Sequence, residues 1–540
     1  MSAPGRLAVG GAPEGFDALL IGEMAHSGAC VLHIARDDRR AAAMLEALAY
    51  FAPDIETVYF PAWDCLPYDR VSPNAGICSQ RMAALHRLGA PDAHVSRLII
   101  VTTINAALQR IPSRDILSSH AFTARKGEAV DIGAMIEFLE RNGFSRAGTV
   151  VEPGDYAQRG GLLDIYPPGV AAPRRLDFFG DMLESIRVFD PETQRSTGKL
   201  DSLTLMPVSE VILNTETIAR FRAGYLRNFG AAGSSDPLYE SISAGRKYQG
   251  MEHWIPLFHE KLETIFDYLP AEDMQVILSL DHLSEEAARS RTESIADLFS
   301  VRQSVPEGAL QSTAVYKPLP PDALYIPPDE WEALLAPHRV RSLSPFQIPD
   351  DRNAINAGAV RCRNFAPERK QEGINIYEAV RDHAIEAQRQ GKQVIFAAYS
   401  TGSRERLGSL LSDHGVEAIV YPENWDQAQS APAGAVSLIV LGVENGFETS
   451  SLLLIGEQDI LGDRLVRQSR TRRAENFLTE ASSLAPGDLV VHLEHGIGRY
   501  EGLKTLEVNG APHDCLLLVY HGDAKLYLPV ENIELLSRYG

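Results

Sequence analysis

The chain has 540 residues, 45% of them hydrophobic and 23% charged, a composition that suits several globular domains of roughly 100–200 residues each. Its formal net charge is −21, so the molecule as a whole repels duplex phosphate, and any nucleic-acid contact needs a local basic face. The five cysteines (Cys30, Cys65, Cys78, Cys362 and Cys515) are scattered and form no C-x-x-C pair, which argues against a disulfide framework or zinc site and fits a reducing cytosol.

The first stretch alternates strand and helix patterns. Ala29–Ala35 is an apolar run, Arg39–Phe51 reads as a helix, Thr57–Phe60 as a strand, and Arg97–Thr102 as a strongly apolar strand. Such alternation predicts a parallel sheet with covered faces. Near Ala121 the pattern changes. Gly161–Tyr166, Arg174–Phe179 and Leu183–Phe189 read as short strands, punctuated by Pro167-Pro168-Gly169 and Gly180-Asp181, which are strong turn signals. A small, mostly antiparallel insert is expected here. From 213 to 348 the chain returns to mixed α/β, with a strand at Gln275–Ser279. Region 349–463 reads βαβ-like: a helix at Ile374–Arg389, a buried strand at Gln393–Ala397, a helix at Arg404–His414, and strands at Val436–Leu441 and Ser451–Ile455. A basic linker, 464–484, leads to a last domain at 485–540 whose strand lengths and turns suit a small SH3-like barrel. The N-terminus shows no secretory pattern and no apolar run is long enough to span a membrane, so a cytoplasmic protein without membrane contact is expected.

Near the start, Gly10-Gly-Ala-Pro-Glu-Gly15-Phe16-Asp17 precedes a helix pattern with the glycine spacing of a phosphate-binding loop. Such a loop needs a lysine to neutralise the β/γ charge and a hydroxyl to hold Mg²⁺. Phe16 stands in the lysine position and Asp17 in the hydroxyl position. Two readings are open, a glycine-rich surface loop or a degenerate nucleotide site, and both predict no ATP hydrolysis. No other G-K-[ST] occurs, and no carboxylate pair stands out as acid/base equipment. His492-Leu-Glu-His495 has the wrong histidine spacing and context for a zinc helix. No catalytic residue, cofactor or metal is expected.

Three segments resemble the N-terminal half of the bacterial transcription-repair coupling factor (Mfd) family. Phe60-Pro-Ala-Trp-Asp-Cys-Leu-Pro-Tyr-Asp-Arg-Val-Ser-Pro73, with Arg81–Leu88, resembles that family's UvrB-like first domain. Gly154–Tyr166, Arg175–Phe179 and Ser185–Asp190 are similar to the domain with which the family and UvrB dock UvrA. Gly487–Tyr500 and Asp523–Val530 look like its CarD-like, RNA-polymerase-interacting module. The resemblance implies UvrB-like domain 1a over 1–120, a UvrA-binding insert over 121–212, UvrB-like domain 1b over 213–348, an α/β domain without assigned role over 349–463, and the CarD-like domain over 485–540. The fold class implied is multidomain α/β, a degenerate RecA/UvrB-like module with a small α+β insert and a second α/β domain, ending in a small all-β barrel. The family's ATP-driven motor is missing from this sequence.

Function follows as an expectation: a non-catalytic adaptor that binds the RNA polymerase β subunit and recruits UvrA to nucleotide excision repair. The alternatives are a UvrB-like ATP-dependent DNA-damage enzyme, against which the degenerate loop counts, and a transcription regulator acting through the last domain alone. The resemblance places Arg159, Arg175 and Phe179 at UvrA contacts. Strand alternation puts Leu176 and Phe178 on one face and Arg175, Asp177 and Phe179 on the other, although Phe179 tucked into the turn beside solvated arginines is the alternative. The resemblance also makes Leu506 an exposed polymerase contact, with Lys504 as a rim charge and strand addition at a nearby sheet edge. A core leucine is the competing reading of Leu506.

Overall fold

The computed structural model describes residues 5–89, 97–119, 122–230, 236–269, 276–303, 316–349, 351–371, 373, 375–462, 487, 489–492, 496–508, 511–520, 524–529 and 536–538. The chain forms two compact units, 1–462 and 463–540. The linker expected at 464–484 lies outside the described residues.

The first unit is built on a seven-stranded sheet, in the order Ala354–Asn356, Leu7–Gly10, Arg339–Leu343, Val276–Leu280, Cys30–Ala35, Leu98–Thr103 and Glu56–Phe60. Its pairings are parallel. Every residue of Cys30–Ala35 and of Leu98–Thr103 is buried, because helices cover both faces of a parallel sheet and leave neither side for polar residues. Parallel strands bring the loops that follow Gly10, Ala35 and Leu280 to one edge, the edge where sheets of this kind place their sites. The strand Ala354–Asn356 joins this sheet from sequence beyond residue 348, beside the strand Leu7–Gly10.

The insert is a six-stranded sheet that runs in chain order from Ser145–Arg146 to Ser196–Leu200, with the helix Ile132–Arg141 against it. Leu163, Ile165, Leu176, Phe178, Leu183 and Ile186 fill its core with Met135 and Leu139 of the helix. The strands Arg174–Phe179 and Met182–Phe189 pair antiparallel across a two-residue turn, and Gly180 sits at φ +60°. That conformation suits glycine at the first position of a tight hairpin turn. A buried ion pair fastens the end of the insert to the first domain: Arg81 Nε donates to Glu210 Oε1 at 2.6 Å and Arg81 Nη1 to the Pro61 carbonyl at 2.7 Å. The Arg81 guanidinium lies 4.3 Å from the Phe60 ring centroid, and Trp63 Nε1 donates to Glu210 Oε2 at 3.1 Å. The Phe60–Trp63 part of the aromatic–proline segment is thus the socket of this fastening.

A second sheet is centred on Gln393–Ala398, with Val436–Val440 and Leu452–Gly456 parallel on either side. Its inner face shares one hydrophobic core with the helices Phe16–His26 and Asp38–Phe51. Trp425 packs edge-on to Phe51 at 4.8 Å between centroids, and Phe447 lies 5.3 Å from Phe16.

The second unit is a five-stranded antiparallel sheet in the order Lys525–Pro529, Ala511–Val519, Gly496–Val508, Leu489–His492, Leu536–Arg538. Val490, Tyr500, Leu516, Leu518 and Leu528 make its core. Among the described residues no helix is long and apolar enough to cross a membrane, and no group of three His, Cys, Asp or Glu side chains could hold a metal ion.

Candidate functional site

The glycine loop does sit between a strand and a helix, Leu7–Gly10 and Phe16–His26. Its interior holds protein charge. Asp17 is 2% exposed. Its Oδ1 accepts the backbone N–H of Gly15 at 2.9 Å and of Ala18 at 2.8 Å, and its Oδ2 accepts Arg40 Nη2 at 2.6 Å. Arg40 Nε also lies 3.7 Å from both Glu14 and Asp281, while Arg36 donates to Glu14 at 2.9 Å and to Asp281 at 3.2 Å. Backbone amides at the start of a helix attract an anion, and here the anion is the Asp17 side chain. Burial pushes the Asp17 carboxyl up to about 6, against the pull of Arg40. Burial likewise raises the Asp281 carboxyl.

The loop is also covered. Phe16 is buried against Phe447, and a Cβ at Gly15 (φ +96°) would stand 3.3 Å from Val443 Cγ1. The Gly442 N–H donates to Glu46 at 3.2 Å, and Arg39 pairs with Glu444. The segment 441–447 therefore closes over the space a nucleotide would need. Sequence reasoning identified the absence of the lysine and hydroxyl that a working phosphate loop needs. It missed Arg40, Asp281 and Phe447, because no local pattern links them to the loop.

At the insert, Phe179 is 77% exposed, so it does not tuck into its turn, and its cross-strand partner Met182 is 44% exposed. The Gly180-Asp181 turn fixes that pairing and was the available signal for Met182. Arg187 pairs with Asp177 at 3.2 Å on the same hairpin. Arg159 is exposed at the adjacent Gly160-Gly161 turn, where Nη2 donates to the Gly148 carbonyl at 2.8 Å. The turn also meets the hairpin directly, since the Phe178 N–H donates to the Gly161 carbonyl at 2.8 Å. Arg175 behaves differently. Its fork is closed on Asp164 at 2.7 and 2.8 Å, and its guanidinium lies 4.5 Å from the Phe189 ring centroid. Arg159 and Phe179 therefore share an exposed end of the sheet with Met182, whereas Arg175 is engaged within it.

In the second unit Lys504 is exposed and its backbone stands opposite Cys515. Leu506 stands opposite His513. Its side chain lies outside the described residues. Lys525–Pro529 is an edge strand of the sheet.

Comparison with known proteins completes the site. Family models described as UvrB interaction domain, MFD D3 domain and CarD-like/TRCF RID domain match residues 122–210, 387–460 and 484–540. The chain is 32% identical over 531 residues to the transcription-repair-coupling factor of Escherichia coli strain K12, covering 97% of this chain and 44% of that protein. It is 30% identical to those of Rickettsia conorii and Haemophilus influenzae, covering 94% and 98% of this chain and 43% and 45% of theirs. Along nearly its whole length the chain is similar to transcription-repair coupling factors. It spans less than half the length of these relatives. The segment that matches the MFD D3 model supplies the residues that cover the glycine loop.

Nucleotide-dependent phosphate release should stay at background. The double change Phe16→Lys with Asp17→Thr should not create it, because Arg40, Asp281 and the 441–447 segment still fill the space. Release above background that disappears on altering Gly15 or Asp17 would refute this.

Proposed function

We propose that this chain is the non-catalytic adaptor half of a transcription-repair coupling factor. It holds the RNA polymerase β subunit through 484–540 and recruits UvrA through the insert, linking stalled polymerase to nucleotide excision repair. The observation that carries the reading is Phe179, a large aromatic left 77% exposed beside Met182 on the sheet that matches the UvrB interaction domain. Exposed aromatics of this kind anchor protein interfaces. Arg159 provides charge at the rim, and Arg175 fixes the strand that presents Phe179. The internal anion in the glycine loop counts against the rival reading as an ATP-dependent UvrB-like enzyme. We extend the proposal to the fold: the glycine loop is a degenerate RecA/UvrB-like phosphate loop, and the terminal sheet is of the SH3-like, CarD-like type. The domain limits 1–120, 121–212, 213–348, 349–463 and 485–540 belong to the same reading, as does a cytoplasmic location.

On the polymerase side, strand alternation puts Leu506 on the face of exposed Lys504, whereas Leu503 stands opposite core Leu516. Leu506 is therefore the contact, Lys504 a rim charge, and the edge strand Lys525–Pro529 the place for strand addition. Leu506→Arg tests this in the full chain. An exposed contact predicts an unchanged melt and β-subunit binding weaker by roughly tenfold or more, because an unpaired cation enters the interface. A core leucine predicts loss of the second unit's melt, since a buried unpaired charge is strongly destabilising. Retained binding with an unchanged melt refutes the contact.

A further inference from the structure

The docking tip of the insert carries two exposed apolar side chains, and the adaptor reading assigns a role to one of them. Phe179 is 77% exposed, and Met182, directly opposite it across the Gly180-Asp181 turn, is 44% exposed. Directly opposed residues share one face of a sheet, with Cβ atoms about 5 Å apart. A single exposed apolar residue needs no explanation. Two that meet at one point make a continuous apolar tip.

The backbone of this tip is braced from both sides. The Val130 N–H donates to the Asp181 carbonyl at 2.7 Å, the Gly127 N–H to the Leu183 carbonyl at 2.8 Å, and the Leu183 N–H to the Glu128 carbonyl at 3.0 Å. On the other flank the Phe178 N–H is taken by the Gly161 carbonyl, and the Phe178 and Leu183 side chains are anchored in the core. A partner therefore meets a backbone shape that is already formed, which lowers the entropy lost on docking.

Met182 also stands apart from the other methionines. Met24, Met44, Met82, Met135, Met206 and Met251 are each 7% exposed or less. Met182 is thus, among the described residues, the methionine open to an oxidant in solution. A thioether is apolar and flexible and adapts to an apolar pocket, whereas its sulfoxide is polar and disrupts such a contact. The described cysteines are poorer targets. Cys30 and Cys362 are buried, and burial pushes the Cys65 thiol up to about 12 and raises that of Cys78 as well, so little of the reactive thiolate is present.

Resting on the assignment of this tip to UvrA, we infer that Phe179 and Met182 enter one apolar pocket of UvrA as a single plug, and that oxidation of Met182 to its sulfoxide releases it. The oxidant is a peroxide. The Met182 sulfur attacks one oxygen of hydrogen peroxide, and the S–O bond forms as the O–O bond breaks. Sulfur gives up two electrons, and the second oxygen takes the proton and leaves as water. Asp181 and Glu184 are the exposed carboxylates of the tip, and an uncharged oxidant meets no repulsion from them.

The full chain is treated with hydrogen peroxide, the peroxide is removed with catalase, and UvrA is then added. Peptide mass spectrometry reads the oxidised positions, and UvrA affinity and the thermal melt are measured on the same sample. Met182 should oxidise ahead of the buried methionines, and UvrA binding should weaken roughly tenfold or more with the melt unchanged. Met182→Gln, a polar side chain of similar length, should weaken binding to the same degree without peroxide. Met182→Leu keeps the apolar volume, so it should bind as wild type does and go on binding after peroxide. The inference is overturned if Met182 is not oxidised ahead of the others, if the chain oxidised at Met182 binds as the untreated chain does, if Met182→Gln binds as wild type does, or if Met182→Leu loses binding to peroxide as wild type does. Untreated wild type that fails to bind UvrA would instead refute the docking reading, and this inference with it.

Discussion

Phe179→Ala is expected to weaken UvrA binding by roughly 30-fold or more while leaving the thermal melt in place, the signature of an interface anchor worth about 2 kcal/mol. Phe179 is 77% exposed, so its removal opens no cavity and disturbs no core neighbour. Arg175→Ala should do the opposite. Arg175 is the bidentate partner of Asp164, whose side chain is 4% exposed. Taking away one partner of a buried pair leaves an uncompensated charge and costs about 3–5 kcal/mol. The insert should therefore melt early in Arg175→Ala, and any loss of UvrA binding should follow from that loss of structure. Replacing the pair together, Arg175→Met with Asp164→Leu, should restore the melt and the binding. UvrA capture that survives Phe179→Ala unchanged would dismiss Phe179 as the anchor. Capture lost in Arg175→Ala with a normal melt would make Arg175 a direct contact.

The second large effect lies at the sealed loop. Arg40→Met leaves Asp17 and Asp281 buried without their shared cation, and about 3–5 kcal/mol of stability should go with it near neutral pH. The loss should shrink in acid. Burial lifts the Asp17 carboxyl from its ordinary value of 3.8 to about 6 in the folded chain. Between those values the folded state binds more protons than the unfolded state, so the Asp17 contribution is present below about 4 and is lost as pH rises through about 6. Arg40 is what restrains that rise, so without it Asp17 protonates at still higher pH and the penalty grows with pH. Asp17→Asn removes the titration, so wild type should lose stability relative to Asp17→Asn as pH rises across the same window. Denaturant unfolding of the three proteins at several pH values reads this directly. A penalty for Arg40→Met that is the same at every pH would show that the Arg40–Asp17 pair is not the source.

Much of the architecture was readable in the chain, because it rests on local rules. The apolar run Gln393–Ala397 has strand length and became the strand Gln393–Ala398. The Gly180-Asp181 turn fixed the hairpin that places Phe179 beside Met182. Leu176 and Phe178 fell on the buried face that alternation assigns them. The Arg175–Asp164 pair was within reach as well, since the two residues stand directly opposite in adjacent strands, where cross-strand partners interact. What escaped was set by tertiary contact. Asp17 finds Arg40 in a neighbouring helix, and Phe16 finds Phe447 across most of the first unit. The strand Ala354–Asn356 pairs with the strand Leu7–Gly10, and three residues carry too little periodicity to declare their partner.

The internal anion has a consequence for how the loop's sequence can drift. A lysine at position 16 arriving alone would be buried against the Phe447 ring, and a threonine at 17 arriving alone would leave Arg40 without its closest counter-ion. Each step towards a working phosphate loop therefore passes through a less stable protein, and only concerted change at Phe16, Asp17, Arg40 and Phe447 avoids that valley. Epistasis of this kind acts as a ratchet. Descendants of this sequence are free to vary at exposed positions around the loop, while the tetrad itself should change together or not at all.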